Sequence, residues 1–197
     1  VNNIMIALYA FVIISFFITI VDIIIRFPLQ SEMIDYNDIQ AIVINVLALL
    51  IQIVSFAYGF VNAIRGMLSP KRMGAVITAF FAATCITGTG NMVIYSNVQI
   101  VLWWIVLIIP NIVGAVATFA YFVLGKKSKI YSIIIYLVAI WGMFRIIYSN
   151  YNLIVHANQY LSMNSTVRLV LEIAIHCLVI YQTYVLWIKR QNATDIS

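Results

Sequence analysis

The sequence predicts an all-α membrane protein, a bundle of six transmembrane helices with its N- and C-termini in the cytoplasm. Three observations predict it. First, 64% of the 197 residues are hydrophobic and only 9% are charged, against about 45–50% and about 25% in an ordinary soluble domain. A soluble fold of this size could not cover so much apolar surface, so the solvent must be lipid. Second, six apolar stretches approach or exceed the roughly 20 residues that a spanning helix needs. They cover residues 4–27, 39–64, 73–91, 99–124, 130–150 and 167–188, and together with their short connections they make one polytopic domain over 1–197. Third, the basic residues alternate from one connection to the next.

Each connection carries residues that stop a helix. "RFPLQSEMIDYND" has Pro28 and three acids, "RGMLSPKR" has Gly66 and Pro70, and "GKKSK" is basic. "NYNLIVHANQYLSMNST" is the longest polar stretch. "TGTGNMVIYSN" holds two glycines, so Thr87 to Asn91 is expected to end the third span or to open a short re-entrant turn. Its backbone amides offer a weak anion-cradle reading beside the plainer one of a helix end. Pro110 stands mid-span and should kink its helix and loosen the local hydrogen bonds.

The charges orient the spans. Arg65, Lys71 and Arg72 follow span two; Lys126, Lys127 and Lys129 follow span four; Lys189 and Arg190 follow span six. The three other connections contain no lysine, and the first holds Glu32, Asp35 and Asp38 with Arg26 at its edge. The positive-inside rule then places both termini inside, with outer loops after spans one, three and five. The first apolar run is longer than the 7–15 residues of a signal-peptide core and lacks a basic leader, so it reads as a retained span. Val1 in place of Met leaves room for a preceding segment. Isoleucine-rich spans and minimal loops point to the cytoplasmic (plasma) membrane of a bacterium.

Several classes are excluded on the same residues. The net charge of +5 sits in loops and not on a basic face with interleaved aromatics, so no nucleic-acid partner is expected. Cys85 and Cys177 lie inside apolar runs without CxxC spacing and read as small buried hydrophobes. No HExxH motif occurs, and Glu172 with His176 supplies two ligands only, so no metal is expected. A bis-histidine haem fails because His156 falls in an outer loop. No cofactor is therefore expected. Asn164-Ser165-Thr166 is a glycosylation sequon on a predicted outer loop.

Every span but the fifth carries a polar or small stripe at helical period. Span one has Ser15, Thr19, Asp22 and Arg26; span two has Asn45, Ala48, Gln52, Ser55, Gly59 and Asn62. Span three has Gly74, Thr78 and Ala82; span four has Asn111, Gly114, Thr118, Tyr121 and Gly125; span six has Arg168, Glu172, His176 and Thr183. Such stripes are expected to meet neighbouring helices, with Ser, Thr, Asn and Gln bonding across the contact for ~0.6 kcal/mol each.

The ionisable residues form the candidate site. At 1.5 Å per residue, Asp22, Arg145 and Glu172 fall about 7–8 Å below the outer ends of their spans, and His176 about 14 Å below. Arg26 and Arg168 lie one turn nearer the surface. Charges at membrane depth are costly and usually face an interior, so Glu172 is expected to pair with Arg168 on its own helix or with Arg145 across the bundle. Three arginines face two carboxylates, and a spare guanidinium suits a ligand's carboxylate or phosphate. His176 reads as a neutral, hydrogen-bonded side chain, with a proton acceptor coupled to Glu172 as the sharper alternative.

No nucleophile constellation and no GxSxG occur, so an enzyme is not the favoured reading. The leading expectation is a solute-capture or transport protein with a site at Asp22, Arg26, Arg145, Arg168, Glu172 and His176, taking a small anionic solute. No loop is long enough to hold an ATP-binding domain, so active transport would need an ion gradient or a partner ATPase. The alternatives are a non-catalytic subunit of a larger membrane complex and an intramembrane enzyme on a lipid-linked substrate, with Glu172 and His176 as acid and base.

Overall fold

The computed structural model describes the backbone of residues 2–30, 36–94, 98–126, 128–149, 151 and 163–194, and most of the side chains within them. These residues are all-helical, with no strand among them. The helices are α1 (Asn2–Gln30), α2 (Tyr36–Ile64), α3 (Pro70–Ile94), α4 (Val98–Thr118, continued by a wider turn over Phe119–Val123), α5 (Lys129–Ser149) and α6 (Met163–Thr194). Each coincides with one predicted span, with ends that differ from the expected ones by no more than six residues. Among the described residues, four segments are long and apolar enough to cross a membrane: Ile42–Ile64, Pro70–Gly90, Ile105–Val123 and Lys129–Tyr148. Shorter apolar stretches occupy Asn3–Ile18 in α1 and Leu169–Val185 in α6.

Local chemistry sets the helix ends. Ser69 caps α3, its Oγ accepting from the N–H of Arg72, with Pro70 in the first-turn position that tolerates its missing N–H. Gly66, at φ +66°, ends α2, and Met67 N–H returns to the Asn62 carbonyl at 2.9 Å. Arg72 then ties this connection down, donating from Nη1 to Asn62 Oδ1 and to the Met67 carbonyl, each at 2.7 Å. At the end of α4 the ladder widens: Leu124 N–H bonds the Phe119 carbonyl and Lys126 N–H the Ala120 carbonyl, both at 3.0 Å. Gly125, at φ +70°, makes the exit.

The helices close into a ring. Each packs on its chain neighbour, α1 packs on α6, and α3 meets α6 across the centre. Neighbours are antiparallel: Gly74 near the start of α3 seats Phe122 beyond the end of α4, while Gly88 further along α3 seats Ile108. The centre is aromatic. Phe56 lies 6.2 Å from Tyr9, 5.8 Å from Phe16 and 6.3 Å from Phe80, and Phe80 stands 5.4 Å from both Phe81 and His176. Ile14, Phe17, Val54, Leu102, Val116, Ile133 and Leu137 face outward and are exposed, as lipid-facing side chains should be.

Five of the six seams contain a helical glycine with a side chain of the next helix seated on it. Gly59 meets Tyr9, Gly90 meets Ile44, Gly74 and Gly88 meet Phe122 and Ile108, Gly114 meets Val138, and Gly142 meets His176. The sixth seam, α1 with α6, is joined by a hydrogen bond from Gln182 Nε2 to the Tyr9 hydroxyl. Gln182 is buried, and its Oε1 has no hydrogen-bond partner.

Four expectations change. "TGTGN" neither ends α3 nor cradles an anion: α3 runs on to Ile94, so its amides serve the helix, and Gly88 and Gly90 provide close approach. Asn164-Ser165-Thr166 lies in the first turn of α6 and not in a loop. Cys177 is exposed and Cys85 only half-buried, its thiol 3.9 Å from the Ile108 carbonyl; both are free. The polar stripes mostly bond within their own helices. Ser15, Ser55, Asn62, Thr84, Asn111, Thr118 and Thr183 each donate to the carbonyl four residues back, the local alternative open to short polar side chains. Next to Pro110, which lies inside α4, Asn111 Nδ2 donates to the Leu107 carbonyl at 2.7 Å.

Two outcomes follow from the seams. Gly142→Ala should destabilise the protein by about 1–3 kcal/mol through overpacking, outweighing the ~1 kcal/mol that alanine gains in a helix, because the His176 ring is held from two other sides. Tyr9→Phe should cost about 0.6–1.7 kcal/mol, the range for a hydrogen bond between membrane helices, and Tyr9→Phe with Gln182→Leu should recover most of it. Detergent-resistant unfolding curves of the four proteins would check both.

Candidate functional site

The site is built on the α5–α6 seam. Gly142 and Arg145 are three residues apart on α5, and Glu172 and His176 four apart on α6, so each pair shares one side of its helix. The helices run antiparallel. Once the His176 ring stands over Gly142, where an added Cβ would come within 2.6 Å of its Cδ2, the next turn brings Arg145 level with Glu172. The geometry then follows from the pitch of the two helices.

His176 is fixed on three sides and is 7% exposed. Its Nδ1–H donates to the main-chain carbonyl of Glu172 at 2.8 Å. Phe80 of α3 meets the ring at 5.4 Å and 90°. The Nε2 side of the ring lies against Gly142. Its protein partner at Nδ1 is therefore a backbone carbonyl and not the Glu172 carboxylate. That arrangement matches a neutral histidine in one tautomer, locked as a packing element between α3, α5 and α6.

Arg145 and Glu172 are both half-buried. The guanidinium interacts electrostatically with the Glu172 carboxylate and, more remotely, with the His176 ring. Of the two partners expected for Glu172, the cross-bundle one is within electrostatic reach. Pairing is what a charge at membrane depth requires, since an isolated one costs about 2.5–3.5 kcal/mol on insertion scales. Arginine keeps donors to spare: its guanidinium has five N–H groups in a fixed fork, more than one carboxylate can accept.

The remaining expected site residues divide as follows. Asp22 and Arg26 are on α1 and Arg168 is on α6, but their side chains lie outside the described residues, as does His156 altogether. Among the described residues, no group of three or more metal-ligating side chains comes together. What the sequence did not single out is the part played by Gly142 and Phe80. Gly142 sits in "IWGMFR", where a lone glycine in an apolar run, three residues before an arginine, is the one available signal. Phe80 carries none beyond being aromatic in a span.

No family model, no curated protein and no solved structure matches this chain.

Proposed function

We propose that the chain is a six-span protein of a bacterial plasma membrane, with both termini cytoplasmic, that captures a small anionic solute at the Arg145–Glu172–His176 layer near the outer leaflet. One observation carries the reading: half-buried Arg145 and Glu172 interact electrostatically across two helices beside a locked His176. A paired arginine with unused donors is a site for a carboxylate or phosphate oxygen, and the nearby carboxylate disfavours a second negative charge on the ligand. Helices α1 and α6, at 29 and 32 residues, are long enough to join the four apolar spans in crossing a core of about 30 Å. The lysine-bearing connections fall at one end of the antiparallel ring, which supports the orientation.

A second reading has its own support. The glycine seams and the filled aromatic centre suit a rigid accessory subunit of a larger membrane complex, whose exposed apolar faces meet other proteins. The same filling favours capture over conduction through the ring.

The two readings separate by experiment. In native mass spectrometry from mild detergent, the capture reading expects a bound small anion that is lost in Arg145→Gln and in Glu172→Gln while helicity is retained. A stoichiometric protein partner, with no bound anion and with assembly alone weakened by those changes, would favour the subunit. Orientation is checked on a Cys85→Ala/Cys177→Ala background. An impermeant maleimide applied to whole cells should label Asn97→Cys and spare Ser69→Cys; the reverse pattern would overturn the topology.

A further inference from the structure

The outward side of α5 carries an aromatic stack beside the candidate site. Trp141 and Phe144 stack with centroids 6.0 Å apart at 29°, and Phe144 and Tyr148 with centroids 6.3 Å apart at 18°. They are 40%, 58% and 66% exposed, so the stack faces away from the bundle. Their positions, i, i+3 and i+7, form one stripe about 10 Å long. Arg145 follows Trp141 by four residues and precedes Tyr148 by three, which puts it on the border of that stripe. Gly142 lies towards α6 under His176. By its place on the helix, Arg145 therefore stands between the side that turns to α6 and Glu172 and the side that carries the aromatic stripe.

We propose that this stripe binds an anionic phospholipid of the outer leaflet, with an acyl chain along the Trp141–Phe144–Tyr148 faces and the phosphodiester on Arg145. The flat faces supply a continuous apolar track, and the guanidinium donors not engaged by Glu172 meet phosphate oxygens in the geometry that arginine favours. Arg145 is four residues from Ser149, the end of α5, or about 6 Å along the axis. An arginine stem can span such a depth by snorkelling to the headgroup level. Charge complementarity selects the lipid: a net negative headgroup gains from the arginine, while a zwitterionic one brings its own cation to the same place. The assignment rests on the reading that the Ser149 end of α5 faces outward, and it narrows the captured anion to one carried by a lipid.

The test uses the full chain with Trp103→Phe, Trp104→Phe and Trp187→Phe, leaving Trp141 as the sole tryptophan. The protein is reconstituted in vesicles that contain, at matched mole fractions, either brominated phosphatidylglycerol or brominated phosphatidylcholine. Quenching of Trp141 should show a roughly fivefold preference for phosphatidylglycerol, the scale of one basic residue near an anionic lipid, and Arg145→Gln should bring the preference close to one. Equal quenching by the two lipids in the single-tryptophan parent overturns the proposal without recourse to Arg145→Gln. A preference that survives Arg145→Gln overturns it as well. Equal quenching together with a bound soluble anion in detergent would remove the lipid and leave the capture reading standing.

Discussion

Lipid tails are as apolar as leucine, so little drives these helices together except the closeness of their fit. That constraint explains how the chain spends its eight glycines. Two make the turns at Gly66 and Gly125, and six lie in helices under a side chain of a neighbour. Where a glycine admits a ring or a branched side chain, two backbones approach and the dispersion contacts multiply. The ring closes between α1 and α6, and there a hydrogen bond from Gln182 to Tyr9 joins the two. It leaves one amide oxygen of Gln182 unsatisfied in the core, a cost the bundle accepts at that seam.

The polar residues take a secondary part in holding the bundle. A hydroxyl or amide that bonds the carbonyl four residues back satisfies itself without fixing a partner helix. Thr118 and Thr183 do so even though they are buried. Specific pairing of helices therefore rests on shape, and the exceptions stand out chemically. Arg72 staples the α2–α3 connection through Asn62 and Met67. Arg145 and Glu172 join α5 to α6 by charge. The second pair lies within a seam between two apolar helices, where neutralisation matters most.

Seen from α5, packing and recognition occupy different sides of one helix. Its inward side carries Gly142 and Ile146, committed to the bundle, and its outward side carries the aromatic stack. Arg145 stands where the two meet. A rigid seam on that flank would reduce the ordering cost of the anion binding proposed for it. The locked His176 contributes in the same way, by fixing the spacing between α5 and α6. Its Nδ1 is committed to a backbone carbonyl, so its role is positional.

Much of the fold was legible without coordinates. Apolar runs of the right length coincide with the helices among the described residues, four of them long and apolar enough to cross a membrane, because helix formation in an apolar solvent is a local requirement: every backbone N–H and C=O must be satisfied within the segment. The inward turn of Gly114, Thr118 and Tyr121 was visible in the same way, from periodicity alone. The reading of "TGTGN" as a helix end failed because glycine punctuates helices in water, while in lipid it is tolerated inside them as a contact surface. Depth arithmetic brought Arg145 and Glu172 to one level, but could not choose between Arg145 and Arg168 as the partner of Glu172. That choice depends on which helices are neighbours and how they are rotated: the seating of His176 on Gly142 turns Glu172 toward Arg145, while the side chain of Arg168 lies outside the described residues. Sequence by itself determined what each helix is, since that follows from residues close together in the chain. Only the tertiary structure decided which helices touch and which charges meet, since those depend on the mutual fit of surfaces that are distant in the chain.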